Sequence, residues 1–150
     1  MTKFAITAAA VLFAAPAFAD DHAATGDAAA GERAFGRQCV SCHNVVDDAG
    51  DVLAGRPNVR TGPNLYGIAG GTIGSAEEFR YGPAILQLNE EGMTWNEEKF
   101  ASYVQDPTAW LREATGDDRA RSKMAFRVRN PEDAVNIYAY LASLDEGAAE

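Results

Sequence analysis

Apolar residues recur at Ala134, Ile137, Tyr138 and Leu141, the spacing of one face of an α-helix. Asn130 stands before this stripe as an N-cap, Pro131 takes the first helical position, and Glu132 and Asp133 face the positive end of the helix dipole. A second helix is predicted over Ala28 to Gln38, with Ala34 and Phe35 on its apolar side and Gly31 one turn earlier. A glycine inside a helix costs about 1 kcal/mol against alanine, and close helix contact at Gly31 would offset that cost. Thr94-Trp95-Asn96-Glu97 reads as a capping box opening a helix over Trp95 to Gln105, whose Phe100, Tyr103 and Val104 share one face. Asp106-Pro107 ends it, and Pro107 starts a short helix through Trp110 and Leu111 that stops near Thr115-Gly116. Ser75-Ala76-Glu77-Glu78 repeats the capping-box pattern and opens a short helical turn.

From Asn44 to Ser75 the pattern fades into a stretch rich in Gly, Asp, Asn and Pro. There is no internal repeat and no strand-rich pattern, so the fold class is all-α with long loops. A loop of this length inside a compact domain counts against an assignment. A large flat cofactor at the centre of the core would resolve the difficulty, because loops could pack against it.

The 150 residues suit one domain. Residues 1–19 carry one cation, Lys3, an apolar run from Phe4 to Ala15, and Ala17-Phe18-Ala19 at the end. That layout predicts a secretory signal cleaved after Ala19. The run is too short to span a bilayer and is broken by Pro16. Residues 20–27 then form a small, acidic, disordered tail, 28–145 the folded domain and 146–150 a C-terminal tail. No later segment suits stable membrane insertion. Cleavage moves the net charge from −9 to −10. Such acidity disfavours nucleic acid and anionic lipid as general partners. Six of the remaining cations nevertheless flank Met124: Arg112, Arg119, Arg121, Lys123, Arg127 and Arg129. They read equally well as a solvated loop or as a docking surface.

The two cysteines stand in Cys39-Val-Ser-Cys42-His43. C-x-x-C-H is the spacing for covalent haem attachment. Two thiols add to neighbouring vinyl groups of a porphyrin, the two intervening residues let both reach within one helical turn, and the histidine that follows binds the iron. A thioredoxin-type pair would want a βαβ setting. A zinc site would want four ligands, and the one other histidine, His22, lies in the tail. A simple disulfide remains as a bland alternative. An electron-transfer iron favours two filled axial positions, and a soft thioether stabilises its ferrous form. Met93 and Met124 are the candidates, each also readable as a core gap-filler. The loop position of Met124, well away from His43 in sequence, favours it over Met93, which lies just before a helix.

Taken together, these residues resemble class I c-type cytochromes, specifically the cytochrome c2 group related to mitochondrial cytochrome c. The resemblance runs from Gly31 to Leu144. It includes the Cys39–His43 motif, Thr61-Gly-Pro-Asn-Leu-Tyr-Gly67, Met93-Thr-Trp95, Tyr103-Val-Gln-Asp-Pro107, Lys123-Met-Ala-Phe126 and Ile137-Tyr-Ala-Tyr-Leu141. It implies one covalent haem c with His43 and Met124 as iron ligands. It also implies a Pro63 carbonyl bonded to the outer ring nitrogen of His43, Tyr81 and Trp95 as haem-propionate donors, and a Tyr103 hydroxyl pointing at the Met124 sulfur. Gly31 and Phe35 would cross the last helix near Ile137 and Tyr140, and Phe126 would lie beside the haem edge. Two departures concern the propionates: Gly71 stands near the place of a common arginine, and Ile85 in place of a usual asparagine.

The function so implied is that of a monomeric periplasmic one-electron carrier, not an enzyme. Its partners would be membrane-bound redox complexes: a quinol-oxidising cytochrome complex as donor, and a photosynthetic reaction centre or terminal oxidase as acceptor. The competing class is a haem protein with an open sixth position acting as a peroxidase or gas sensor. It lacks a distal base, since His22 lies in the tail.

Overall fold

The computed structural model describes residues 24–147. Five helices and one small hairpin follow in the order α1 (Ala28–Gln38), β1 (Val45–Val46), β2 (Val52–Ala54), α2 (Pro83–Glu90), α3 (Glu97–Gln105), α4 (Pro107–Thr115) and α5 (Pro131–Gly147). The expected signal segment, residues 1–19, lies outside the described residues, as do 20–23 and 148–150.

The Asp27 side chain accepts from the Ala30 amide at 3.0 Å and so caps α1. The residues before it are bound to the body, contrary to the tail expected up to residue 27. Thr25 gives both its amide and its hydroxyl to the Glu97 carboxylate, each at 2.6 Å, and the Asp27 amide donates to Asn136 Oδ1 at 2.8 Å. At the other end, α5 continues to Gly147, past the domain boundary expected at 145.

Helices α1 and α5 cross at Gly31. A Cβ there would lie 1.9 Å from the Asn136 carbonyl oxygen and 2.8 Å from Tyr140 Cβ. The crossing centres on Asn136 and Tyr140, within the stretch near Ile137 and Tyr140 that was expected. Phe35 and Tyr140 pack their rings at 5.7 Å, and Phe35, Ile137, Tyr138 and Leu141 are fully buried. Asn130 caps α5 as expected, accepting from the Glu132 amide at 3.1 Å.

One local expectation changes and others are refined. The N-cap of α3 is Asn96, whose side chain accepts from the Lys99 amide at 3.0 Å. Thr94 cannot serve, because it is extended and pairs with Thr72 in an antiparallel bridge. The Ser75–Glu78 box yields a single turn closed by Phe79 N–H to the Ala76 carbonyl at 3.2 Å. The real helix in this region is α2, opened by Pro83 at its first turn and burying Ala84, Ile85 and Leu88. Within the long loop, β1 and β2 pair antiparallel, and the turn between them is held by Asp47 Oδ1, which accepts from the amides of Ala49 and Asp51.

Two glycines of α1 make a direct test of the crossing. Gly31→Ala is expected to destabilise the protein by about 2 kcal/mol through overpacking. Gly36→Ala, where an added Cβ meets nothing within 4 Å, is expected to stabilise it by about 0.5–1 kcal/mol through helix propensity. Denaturant midpoints moving in the same direction would refute this reading of the crossing.

Candidate functional site

Helix α1 runs directly into the cysteine motif. Cys39 closes the helix by donating its amide to the Phe35 carbonyl at 2.8 Å. The amides of Cys42 and His43 then both return to the Cys39 carbonyl, at 3.0 and 2.9 Å. Residues 39–43 therefore form one further helical turn, the shape that two-residue thiol spacing requires. Both thiols are free.

The His43 ring is positioned by two backbone features. Its Nδ1 lies 2.9 Å from the Pro63 carbonyl oxygen. A carbonyl can only accept, so Nδ1 carries the proton and Nε2 keeps its lone pair. Gly62 permits the approach: a Cβ there would lie 2.3 Å from His43 Cε1. Its amide donates to the Cys42 carbonyl at 2.7 Å, tying the loop to the motif. Burial lowers the His43 pKa, with the Pro63 bond opposing in part, which favours the neutral imidazole that a metal needs. Burial, with Cys42 nearby, pushes the Cys39 thiol up to about 12, so it stays protonated.

Cys39, Cys42, His43 and Met124 all line one cavity of about 320 Å³. Its walls are apolar, with Leu65, Ile68, Ile85, Phe100, Val104 and Ile137 among them, and Pro63, Tyr81, Trp95 and Tyr103 also face it. The sequence-predicted site residues thus come together in one place. Met93 does not join them. It packs half-buried against the core, its amide bonded to the Leu88 carbonyl and its carbonyl to the Ile73 amide.

Trp95 is buried, stacks on Trp110 at 5.5 Å and meets the Tyr103 ring at 5.2 Å. The Tyr81 hydroxyl accepts from the Ala76 amide at 3.3 Å. The Tyr103 hydroxyl is held by a serine. It bonds Ser122 Oγ at 3.1 Å, and Ser122 Oγ in turn accepts from the Met124 amide at 3.0 Å. Tyr103 thus reaches the backbone of Met124 through Ser122, because the serine hydroxyl lies within reach of both groups. The Ser122 amide also donates to Thr108 Oγ1 at 3.3 Å. Sequence reasoning passed over Gly62, Thr108 and Ser122. Gly62 was visible inside the Gly-Pro motif, whereas nothing in sequence marks Thr108 or Ser122.

The two departures also find their places. Gly71 is sterically closed, since a Cβ would lie 2.1 Å from the Gly67 carbonyl oxygen. Backbone bonds between Gly70, Gly71 and Trp95 hold it there. Ile85 lines the cavity and is buried. Of the six cations near Met124, Arg121 and Lys123 line the cavity mouth, where Phe126 is 47 % exposed. The others are engaged elsewhere or lie farther round. Arg112 Nε donates to the Ala120 carbonyl at 3.3 Å, Arg119 pairs with Asp117, and Arg127 pairs with Asp106 at 3.2 Å. Arg127 and Arg129 border a separate small hollow with Gln105.

The donor set fits a haem. Two free thiols stand one helical turn apart, a neutral imidazole keeps a free lone pair, a soft thioether faces the same space, and the walls are apolar. Comparisons with known proteins agree. The family model for cytochrome c matches residues 28–145. Over 108 residues the chain is 56 % identical to cytochrome c2 of Rhodovulum adriaticum, covering 72 % of this chain and 85 % of the relative. It is 50 % identical over 105 residues to cytochrome c2 of Cereibacter sphaeroides, covering 69 % and 84 %. The crystal structure of cytochrome c2 from Rhodobacter sphaeroides superposes with a TM-score of 0.75 at 48 % identity, covering 79 % of this chain and 95 % of that one. The chain belongs to the cytochrome c family, with the class I fold of an electron-transfer protein that holds one covalently attached haem c.

Proposed function

We propose that this protein is a soluble periplasmic electron shuttle whose haem is bound by thioether links from Cys39 and Cys42 and whose iron is held by His43 and Met124. The convergence of these four side chains on one apolar cavity carries the reading. When bound, the haem supplies an iron that alternates between ferrous and ferric states. Pro63 fixes the tautomer and orientation of His43. Tyr81 and Trp95 are assigned to the haem propionates, and Tyr103 steadies the Met124 segment through Ser122. The apolar walls exclude water and favour the less charged ferrous state.

The partners proposed are membrane-bound redox complexes: a quinol-oxidising cytochrome complex as donor and a photosynthetic reaction centre or terminal oxidase as acceptor. The cytochrome c2 relatives support an electron-carrying role. Docking would occur at the cavity mouth around Phe126, through a small transient interface in which charge governs encounter rate more than final affinity. Of the cations flanking Met124, Arg121 and Lys123 are both exposed and at the mouth, and Lys123 Nζ donates to the Arg80 carbonyl, so Arg121 is the one tested for docking. The engagement of Arg112, Arg119 and Arg127 gives these three work inside the loop itself.

Met124→Ala is expected to abolish the sulfur-to-iron charge-transfer band of the ferric protein, and its reduced form should bind carbon monoxide rapidly where the wild type binds it slowly. Rapid binding by the wild type at neutral pH would instead indicate an open sixth position and the peroxidase or sensor class. At low salt, Arg121→Glu should slow electron transfer to a membrane partner by about tenfold, while Arg33→Glu on α1 should change it little. Added salt should erase the difference. Equal, salt-independent rates in all three proteins would remove the docking role from Arg121.

A further inference from the structure

Trp95 and Trp110 are the chain's two tryptophans, and the fold stacks one on the other. Trp95 is buried and lines the cavity assigned to the haem. Trp110, on the first turn of α4, is half-buried and stands outside the cavity lining. The two ring centroids lie 5.5 Å apart with planes inclined by only 28°, within the range of stacked aromatic pairs. The Tyr103 ring completes the group, 5.2 Å from Trp95 and 5.5 Å from Trp110. Packing alone would be served by any aromatic ring at these positions. An indole adds one chemical property that a phenyl ring lacks, because it readily gives up an electron to a strong oxidant. The stack therefore makes a continuous π contact from the cavity wall to a residue that solvent reaches.

We propose that Trp95 and Trp110 form a relay through which the haem-loaded protein quenches small one-electron oxidising radicals, with Trp110 as the residue oxidised first. The inference rests on the reading of the cavity as a haem site. A radical takes one electron from the Trp110 indole, and the ring nitrogen releases its proton to water. Trp95 then passes one electron to Trp110, which recovers a proton, and Trp95 is refilled by one electron from ferrous iron. The sum is one radical reduced and one iron taken from ferrous to ferric, with both tryptophans restored. Tyr103 touches both indoles but is a poor resting place for the missing electron. A phenol that loses an electron must also shed its proton, and the Tyr103 hydroxyl is bonded to the Ser122 hydroxyl, which is not a base. Burial raises the Tyr103 pKa and so works against proton loss as well.

The test uses the haem-loaded protein and the azide radical, generated by pulse radiolysis, which at neutral pH oxidises tryptophan in preference to other side chains. Optical absorption follows the indolyl radical and the haem separately. In the ferrous protein, the indolyl radical is expected to decay in step with iron oxidation, at a rate independent of protein concentration. In the ferric protein the radical should outlive that phase. Trp110→Phe keeps a ring in the stack and is expected to lose the concentration-independent phase. Trp95→Phe, with Trp110 retained, should form the radical but lose the dependence of its decay on the iron's oxidation state. An unchanged phase in Trp110→Phe, or retained dependence in Trp95→Phe, overturns the relay. Equal radical decay in ferrous and ferric wild type overturns it without any substitution. A wild-type protein with no haem spectrum to change on chemical reduction would overturn the haem reading itself, and the relay with it.

Discussion

Gly31 lets the backbone of α1 press against the Asn136 carbonyl of α5, closer than any side chain would permit. Everything at the site is referred to that contact. The C-terminal end of α1 becomes the cysteine turn without a break, because the Cys39 amide still finds the Phe35 carbonyl and the His43 amide finds that of Cys39. Docking α1 on α5 thus fixes where the thiols and the imidazole can be. Around the crossing, Phe35, Tyr138, Ile137 and Leu141 supply the buried apolar area that stabilises it. Residues 25–27 extend the same seam, with Thr25 bonded to Glu97 and Asp27 to Asn136.

The remaining walls of the cavity are mostly loop, and they keep their shape by saturating backbone groups with side chains. Asn44 Nδ2 donates to the Arg56 carbonyl, Asn64 exchanges bonds with Val46, and Asn89 Nδ2 donates to the Ile73 carbonyl. Such bonds substitute for the ladders that helices and sheets would provide. They explain how a long segment with little regular structure can line a cofactor site. They also suit the chemistry, because an iron that gains and loses only an electron works best when neither ligand has to move.

Electrostatics divides the arginines near Met124 into two groups. Arg112, Arg119 and Arg127 bond to Ala120, Asp117 and Asp106, contacts that shape the 116–130 segment and the α4 cap region. These exposed pairs contribute little stability individually. Their effect is to orient the chain and to compensate part of the local charge. Arg121 at the mouth remains the cation presented beside the exposed Phe126 ring. A net charge of −9 over the whole sequence makes one such local patch count for more in orienting an encounter.

The sequence by itself determined the chemistry and the regular elements. The Cys39–His43 spacing named the cofactor, and α1, α4 and α5 followed from apolar periodicity, Pro107, Pro131 and the Asn130 cap. These features are legible because each depends on residues within about one helical turn of one another. The start of α3 was misplaced by two residues because Thr94 and Asn96 offer similar local caps, and only the bridge from Thr94 to Thr72 decides between them. Helix α2 opens on Gly82, which makes no side-chain cap, so its start carries a weaker local signal than the boxes on either side. The roles of Gly62, Ser122, Thr108 and Lys123 were invisible for a stronger reason. Their partners are His43, Tyr103 and Met124, Ser122, and Arg80, and in three of the four cases the two residues are at least fourteen apart in sequence but adjacent in space. Tertiary structure alone decides such contacts, because a hydrogen bond or a steric gap depends on where two remote backbones meet.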